Sequence, residues 1–338
     1  MMIPSFRRYQ RTFQTRCRQL LNPWLLRASC PELPLSEAVI IAGSNRSGTT
    51  WLQEVAAELP GAVTIFEPLH VDVVQPARRA GFHKLSAFYP GESRPAAKEY
   101  LQRVLTGREW HWYTSQLNPL SACRRPRQLI VTFIHANGIL EWLTHELPVR
   151  RPVVVIRHPA AVNSSIFHRG WDLSRVREEL LRSELAERSA PLRRYLATLT
   201  TPEEQLTARW CLENAVLFKA ARPWKFELVS YESLIVGGPT ALQRLFAVWQ
   251  LPAPASVQAA YSRASSMSSL NREYSDARDR LAKWQAELRP VQVKTILRVT
   301  REFGLDFYSE ELLPDEQRLT HCTADGLLNS VDPLHSAA

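Results

Sequence analysis

At 338 residues, 45% of them apolar, the chain can bury a sizeable core, and one large domain is expected rather than two. The excess of 42 Lys and Arg over 33 Asp and Glu suits an anionic ligand, but the arginines are spread through most segments instead of massed in a block, which argues against nucleic acid. Five widely spaced cysteines and no apolar run of the ~18 residues a membrane span needs argue against a disulfide framework, a zinc site and a spanning helix, so a reducing cytoplasm fits best.

Residues 1–34 make an Arg-rich arm. Phe6, Tyr9, Phe13 and Cys17 recur there at helical spacing among Arg7, Arg8, Arg11, Arg16 and Arg18, the pattern of a basic amphipathic helix. Packing of the arm on the body is expected ahead of contact with a membrane surface, and both stay open. From Ala38 to Leu59 an apolar run (Val39, Ile40, Ile41) ends at Gly43, crosses a short polar loop and resumes as a helical pattern at Trp51, Leu52, Val55, Ala56 and Leu59. Strand, anion loop and helix are expected. Gly48 lets the backbone approach a ligand, and the amides of Ser47 to Thr50 would meet an anion with the helix dipole behind them. Gly43 and Gly48 are spaced as in the Walker A pattern, but Thr49 and Thr50 stand where a Lys would be required, and the basic residue is Arg46 instead.

After the turn at Pro60-Gly61, residues 62–66 read as a buried strand ending at Glu67-Pro68. Residues 69–127 are Pro-rich and irregular and carry the aromatic cluster Trp110 to Tyr113; a rim around an acceptor is expected there. Strands are predicted over 128–134 and 152–156, with a helix over 138–147 between them. Helices are predicted over 174–199 and 202–221, the 172–208 region serving as a second rim or lid. A strand over 226–230, helices over 240–249 and 291–303, and a polar stretch over 262–279 follow. From Pro314 a poorly ordered tail, 314–338, is expected. Strands alternating with helices imply an α/β fold with a mainly parallel sheet covered on both faces.

The segment Arg46-Ser47-Gly48-Thr49-Thr50-Trp51 resembles the 5'-phosphosulfate loop of the sulfotransferases, enzymes that move a sulfuryl group from 3'-phosphoadenosine 5'-phosphosulfate (PAPS) to an alcohol, phenol or amine. The run from Val153 to Ile156, followed by Arg157, His158 and Pro159 with Ser165 further on, resembles the family's 3'-phosphate site, although His158 departs from its usual Asp or Asn. Phe66-Glu67-Pro68-Leu69 is similar to a segment of the carbohydrate enzymes, and Tyr231-Glu232-Ser233-Leu234 to the family's late Tyr-Glu-Asp-Leu, with Ser233 in place of Asp. The resemblance extends to Tyr308 and implies a P-loop NTPase-like three-layer sandwich over residues 35–313, with PAPS as donor, 3',5'-adenosine bisphosphate (PAP) as product and no metal.

On that resemblance Arg46, Ser47, Gly48, Thr49 and Thr50 hold the 5'-phosphate, and Arg157 and Ser165 hold the 3'-phosphate. Trp51 and Tyr231 either contact the adenine or belong to the core. A base must take the acceptor's proton; Glu67 is the first candidate, His70 the second and His135 the third. The acceptor, a carbohydrate or another small molecule, is not named by any residue. Two other readings stay open: a P-loop kinase or hydrolase lacking the Walker Lys, and a non-enzymatic anion-binding protein.

Overall fold

The computed structural model describes residues 4–263 and 277–331, with the side chains from residue 16 onward. Most of the polar stretch expected over 262–279 lies outside the described residues. A long helix, α1 (Pro4–Ser29), leads into β1 (Val39–Gly43), whose five residues are all buried. A strand with no polar face must be covered on both sides, and the core divides accordingly. Ile40 and Ala42 belong to one apolar cluster, Val39 and Ile41 to the other.

The first half of the fold continues with α2 (Thr49–Ala56), β2 (Ala62–Phe66), α3 (Gln75–Arg79), α4 (Pro95–Leu105), β3 (Gln128–Ile134), α5 (Leu140–Glu146), β4 (Val153–Ile156) and α6 (Pro159–Phe167). The second half holds α7 (Val176–Leu181), α8 (Glu184–Glu187), α9 (Ala190–Thr198), α10 (Pro202–Lys219), β5 (Glu227–Ser230), α11 (Tyr231–Val248), α12 (Val257–Ser262), α13 (Ala277–Glu287), α14 (Pro290–Glu302) and α15 (Glu316–His321). The five strands form one sheet in the order β2-β3-β1-β4-β5, every neighbouring pair parallel. This is an α/β fold of three layers. β1 lies between β3 and β4, and Gly43 stands level with Ile134 and Val155, so the chain turns from one side of the sheet to the other at the carboxyl end of β1. A crevice at such a switch point is where an open α/β sheet presents its ligand site.

Three expectations are corrected. Residues 69–127 are not merely irregular, because α4 buries Tyr100, Leu101, Val104 and Leu105 in the main core; its apolar residues fall three and four apart and so share one face. The continuous helical stretch expected over 174–199 is broken into α7, α8 and α9. Ser183 and Ser189 accept the amides of Ala186 and Leu192 and start new helices in the middle of it. The residues after 314 that are described are not a loose tail, since α15 and the turn after it bury Leu319, Cys322, Ala324 and Leu328. No helix among the described residues is long and apolar enough to cross a membrane.

Candidate functional site

The loop between β1 and α2 is built by its own backbone. Ser47 donates both its amide and its hydroxyl to the Ser44 carbonyl, at 3.2 and 2.6 Å, which tightens the turn; the Ser47 hydroxyl is thereby committed to the loop. Gly48 caps α2 with φ +98, and a Cβ there would lie 2.4 Å from the Tyr231 ring, so both conformation and space require glycine. The first amides of α2, from Thr49 on, have no partner within the helix and point into the crevice end of the sheet.

Arg46 and Arg157 meet at this loop. Arg157 donates to the Arg46 carbonyl at 3.0 Å, and the Arg46 Nε donates to the Ser165 hydroxyl on α6 at 2.9 Å. The structure therefore joins the two motifs, 111 residues apart in sequence, in one cleft. Burial, together with the neighbouring Arg169 and Arg157 charges, lowers the Arg46 guanidinium to about 10, still cationic at neutral pH. Like charges held this close suit an anion between them. The Nε atoms of Arg157 and Arg169 and the Trp51 Nε1 are buried without a hydrogen-bond partner, free donors around the same space.

Trp51 and Tyr231 are both buried and meet edge to face at 5.8 Å. The Arg157 guanidinium lies 4.6 Å over the Tyr231 ring and that of Arg280 4.6 Å over Trp51. Both aromatics line the cleft and both pack in the second core cluster, so the alternatives left by the sequence are both met by position. His158, outside the cleft, is structural: its Nδ1 accepts the Ala160 amide and caps α6, while Nε2 donates to the Ser309 carbonyl at 2.8 Å. Burial lowers its imidazole to about 4, so it is neutral.

Glu67 follows β2 with φ +48, a left-handed conformation that turns its carboxyl into the cleft. Burial pushes that carboxyl up to about 7, against the Tyr113 hydroxyl, which donates to it at 2.6 Å, and the Arg46 charge. Tyr100 fixes the segment by donating to the Pro68 carbonyl at 2.7 Å. His70 stands edge-on to Tyr113 at 5.3 Å; its Nδ1 is buried without a partner, and burial with the nearby His135 holds it below the ordinary histidine range.

His135 is placed elsewhere. It lines an adjoining chamber of about 280 Å³ that shares His70, Asn45, Ile134 and Trp171 with the cleft, and its Nδ1 lies 3.2 Å from the buried Glu213 carboxylate. From Glu213 an alternating chain of charges runs through Arg209 (3.4 Å), Glu179 (3.2 Å), Lys84 (2.7 Å) and Asp72 (2.7 Å) along this chamber. Val162, Ile166 and Trp210 supply its apolar wall.

The sequence reading missed two contributors. Tyr113 shares one aromatic cluster with Trp110 and Trp112 in sequence, but Trp110 is 1% exposed and donates to the Gly107 carbonyl, Trp112 is exposed, and of the three Tyr113 alone reaches Glu67. The side of α13 that faces the cleft lies just past the polar stretch expected over 262–279 and carries no assignment from the sequence, although Arg280, Lys283, Trp284 and Glu287 fall at spacings of three, one and three. All four line the cleft on that helix. Arg280 also donates to the Tyr231 hydroxyl at 2.7 Å. No group of three or more His, Cys, Asp or Glu side chains able to hold a metal ion occurs among the described residues.

No family model and no curated protein matches the chain. Among solved structures it is similar to the sulfotransferase domain from the curacin biosynthetic pathway, with 16% identity, a TM-score of 0.42 and coverage of 80% of this chain and 97% of that one. It is similar also to the sulfotransferase domain from the Synechococcus PCC 7002 olefin synthase (13% identity, TM-score 0.42, 84% of this chain and 99% of that one). A third is mouse sulfotransferase SULT7A1 complexed with PAP (12% identity, TM-score 0.43, 91% of this chain and 95% of that one).

Proposed function

We propose that the chain is a sulfotransferase that transfers a sulfuryl group from PAPS to the hydroxyl of a carbohydrate or another small alcohol. The observation that carries this is the meeting of Arg46, Arg157 and Ser165 at the amino terminus of α2, because a donor with phosphates at both ends of its ribose needs two cationic grips set in one cleft. PAPS brings an activated sulfuryl group; the protein has to hold donor and acceptor in line and stabilise the charge that grows on the departing phosphate. The amides at the start of α2, with Thr49 and Thr50, face the 5' end, and Arg46 beside them carries the charge that meets the leaving oxygen. Arg157 and Ser165 face the 3' end.

In this reading Glu67 takes the acceptor's proton. A carboxyl pushed to about 7 is a stronger base than an ordinary one and is still substantially ionised near neutrality. Tyr113 orients it. His70, at the junction of cleft and chamber, positions the acceptor, which enters through the adjoining chamber. His70 stays the second candidate base and His135 the third, a Nδ1–H given to Glu213 leaving the His135 Nε2 as an acceptor.

The nucleotide-hydrolase alternative differs in one measurable respect. PAP carries the 3'-phosphate that Arg157 and Ser165 would hold and ADP does not, so calorimetric titration should give tight binding for PAP and weak binding for ADP. Equal affinities would remove the sulfotransferase reading, and transfer from PAPS to a panel of sugar and phenol acceptors would then be expected to fail.

A further inference from the structure

Over residues 16–29, the face of α1 that packs on the body is not the one that carries Leu20 and Trp24. The helix is fixed to the body through Asn22, which donates to the Ser115 and Asn118 carbonyls at 2.8 and 2.9 Å, through Arg27, which donates to the Trp110 carbonyl at 2.8 Å, and through the fully buried Leu26. On the side left over, Leu20 and Trp24 are 72% and 71% exposed, and Leu21 and Leu25 are exposed beside them. In sequence, positions 6, 9, 13, 17, 20 and 24 keep one three-four spacing, so the stripe read from the first half of the arm runs on into Leu20 and Trp24. A contiguous row of large apolar side chains in water marks a contact.

Charge identifies the occupant. Residues 1–31 hold six arginines, no lysine and no acidic residue, a net +6 against +9 for the whole chain. A second copy of the same helix would set arginines against arginines, which disfavours self-association through this face. An anionic bilayer satisfies both features at once: apolar side chains and the tryptophan enter the interface, and the arginines extend to lipid phosphates. We propose that α1 is an interfacial helix that seats the protein on acidic membrane surfaces through Leu20, Leu21, Trp24 and Leu25.

The test is co-sedimentation of the full chain with phosphatidylcholine vesicles, with and without phosphatidylserine. Binding is expected only to the anionic vesicles and should weaken as salt is raised. Each of Arg16→Gln and Arg18→Gln should weaken it roughly fivefold. Leu20→Glu with Trp24→Glu should abolish it while leaving the thermal midpoint in place, because both side chains already stand in water. No binding to anionic vesicles, or binding indifferent to the double substitution, overturns the proposal. So does concentration-dependent dimerisation that the double substitution abolishes, which would give the face to a second copy.

Discussion

Glu67 shows how much one side chain depends on its surroundings. An exposed carboxylate would be ionised throughout the neutral range and a poor proton acceptor, but burial behind β2 lifts this one to about 7. With Glu67 as the proposed base, active when ionised, the rate should rise with pH through about 7, far above the ordinary carboxylate range. Glu67→Gln keeps the shape and removes the acceptor. Turnover should fall by roughly 10² to 10⁴ and the acidic limb of the pH–rate profile should disappear, with PAP affinity little changed. Near-normal turnover in this variant, with loss in His70→Ala or His135→Ala, would pass the role to that histidine. The sequence pointed to Glu67 by its place after a strand, but the hydroxyl of Tyr113 that orients it lies 46 residues further on and had no local signal.

At the level of elements, the strand ends carry the site. Arg46 after β1, Glu67 after β2 and His135 after β3 all have positive φ, a conformation that L side chains adopt sparingly and that here turns three polar side chains off the sheet. β4 ends differently, with His158 capping α6. Because burial lowers the His158 imidazole from 6.5 to about 4, the unfolded chain binds more protons than the folded one between those values, and the contribution of neutral His158 is present above 6.5 and lost as pH falls through 4. His158→Asn keeps a capping group but gives up the bond to Ser309 and the stacking on Trp284. It should therefore destabilise the protein by about 1 kcal/mol at neutral pH, and the difference from the parent should shrink as pH falls from 6.5 toward 4. Denaturant titrations at several pH values would measure it; a difference that grows on acidification would mean that His158 is protonated in the fold.

Across the whole molecule, the cleft joins segments from every part of the chain. The loop after β1 supplies Arg46, the end of β4 leads into Arg157, α11 supplies Tyr231 and α13 supplies Arg280, and the buried Glu232 ties the closing segment in by accepting the His158 amide and the Tyr308 hydroxyl, both at 2.9 Å. A ligand held by all of them should raise the unfolding midpoint, by about 2.7 kcal/mol of stability at a hundredfold excess over Kd. Arg157→Ala should then reduce the stabilisation by PAP far more than that by ADP, on the order of 2–5 kcal/mol in binding. Equal losses would remove Arg157 from the 3'-phosphate. Whatever is encoded within a few residues is legible along the chain: β-branched runs that must be buried on both faces, the Gly48 turn and helix start, and the strand-end places of Arg46, Glu67 and Arg157. Packing had to decide that Tyr113 reaches Glu67, that α13 lays Arg280 and Lys283 against the cleft, that His135 opens on a separate chamber, and that Leu20 and Trp24 of α1 face outward. Periodicity reports which side of a segment is apolar; what that side meets depends on residues dozens of positions away, brought there by packing.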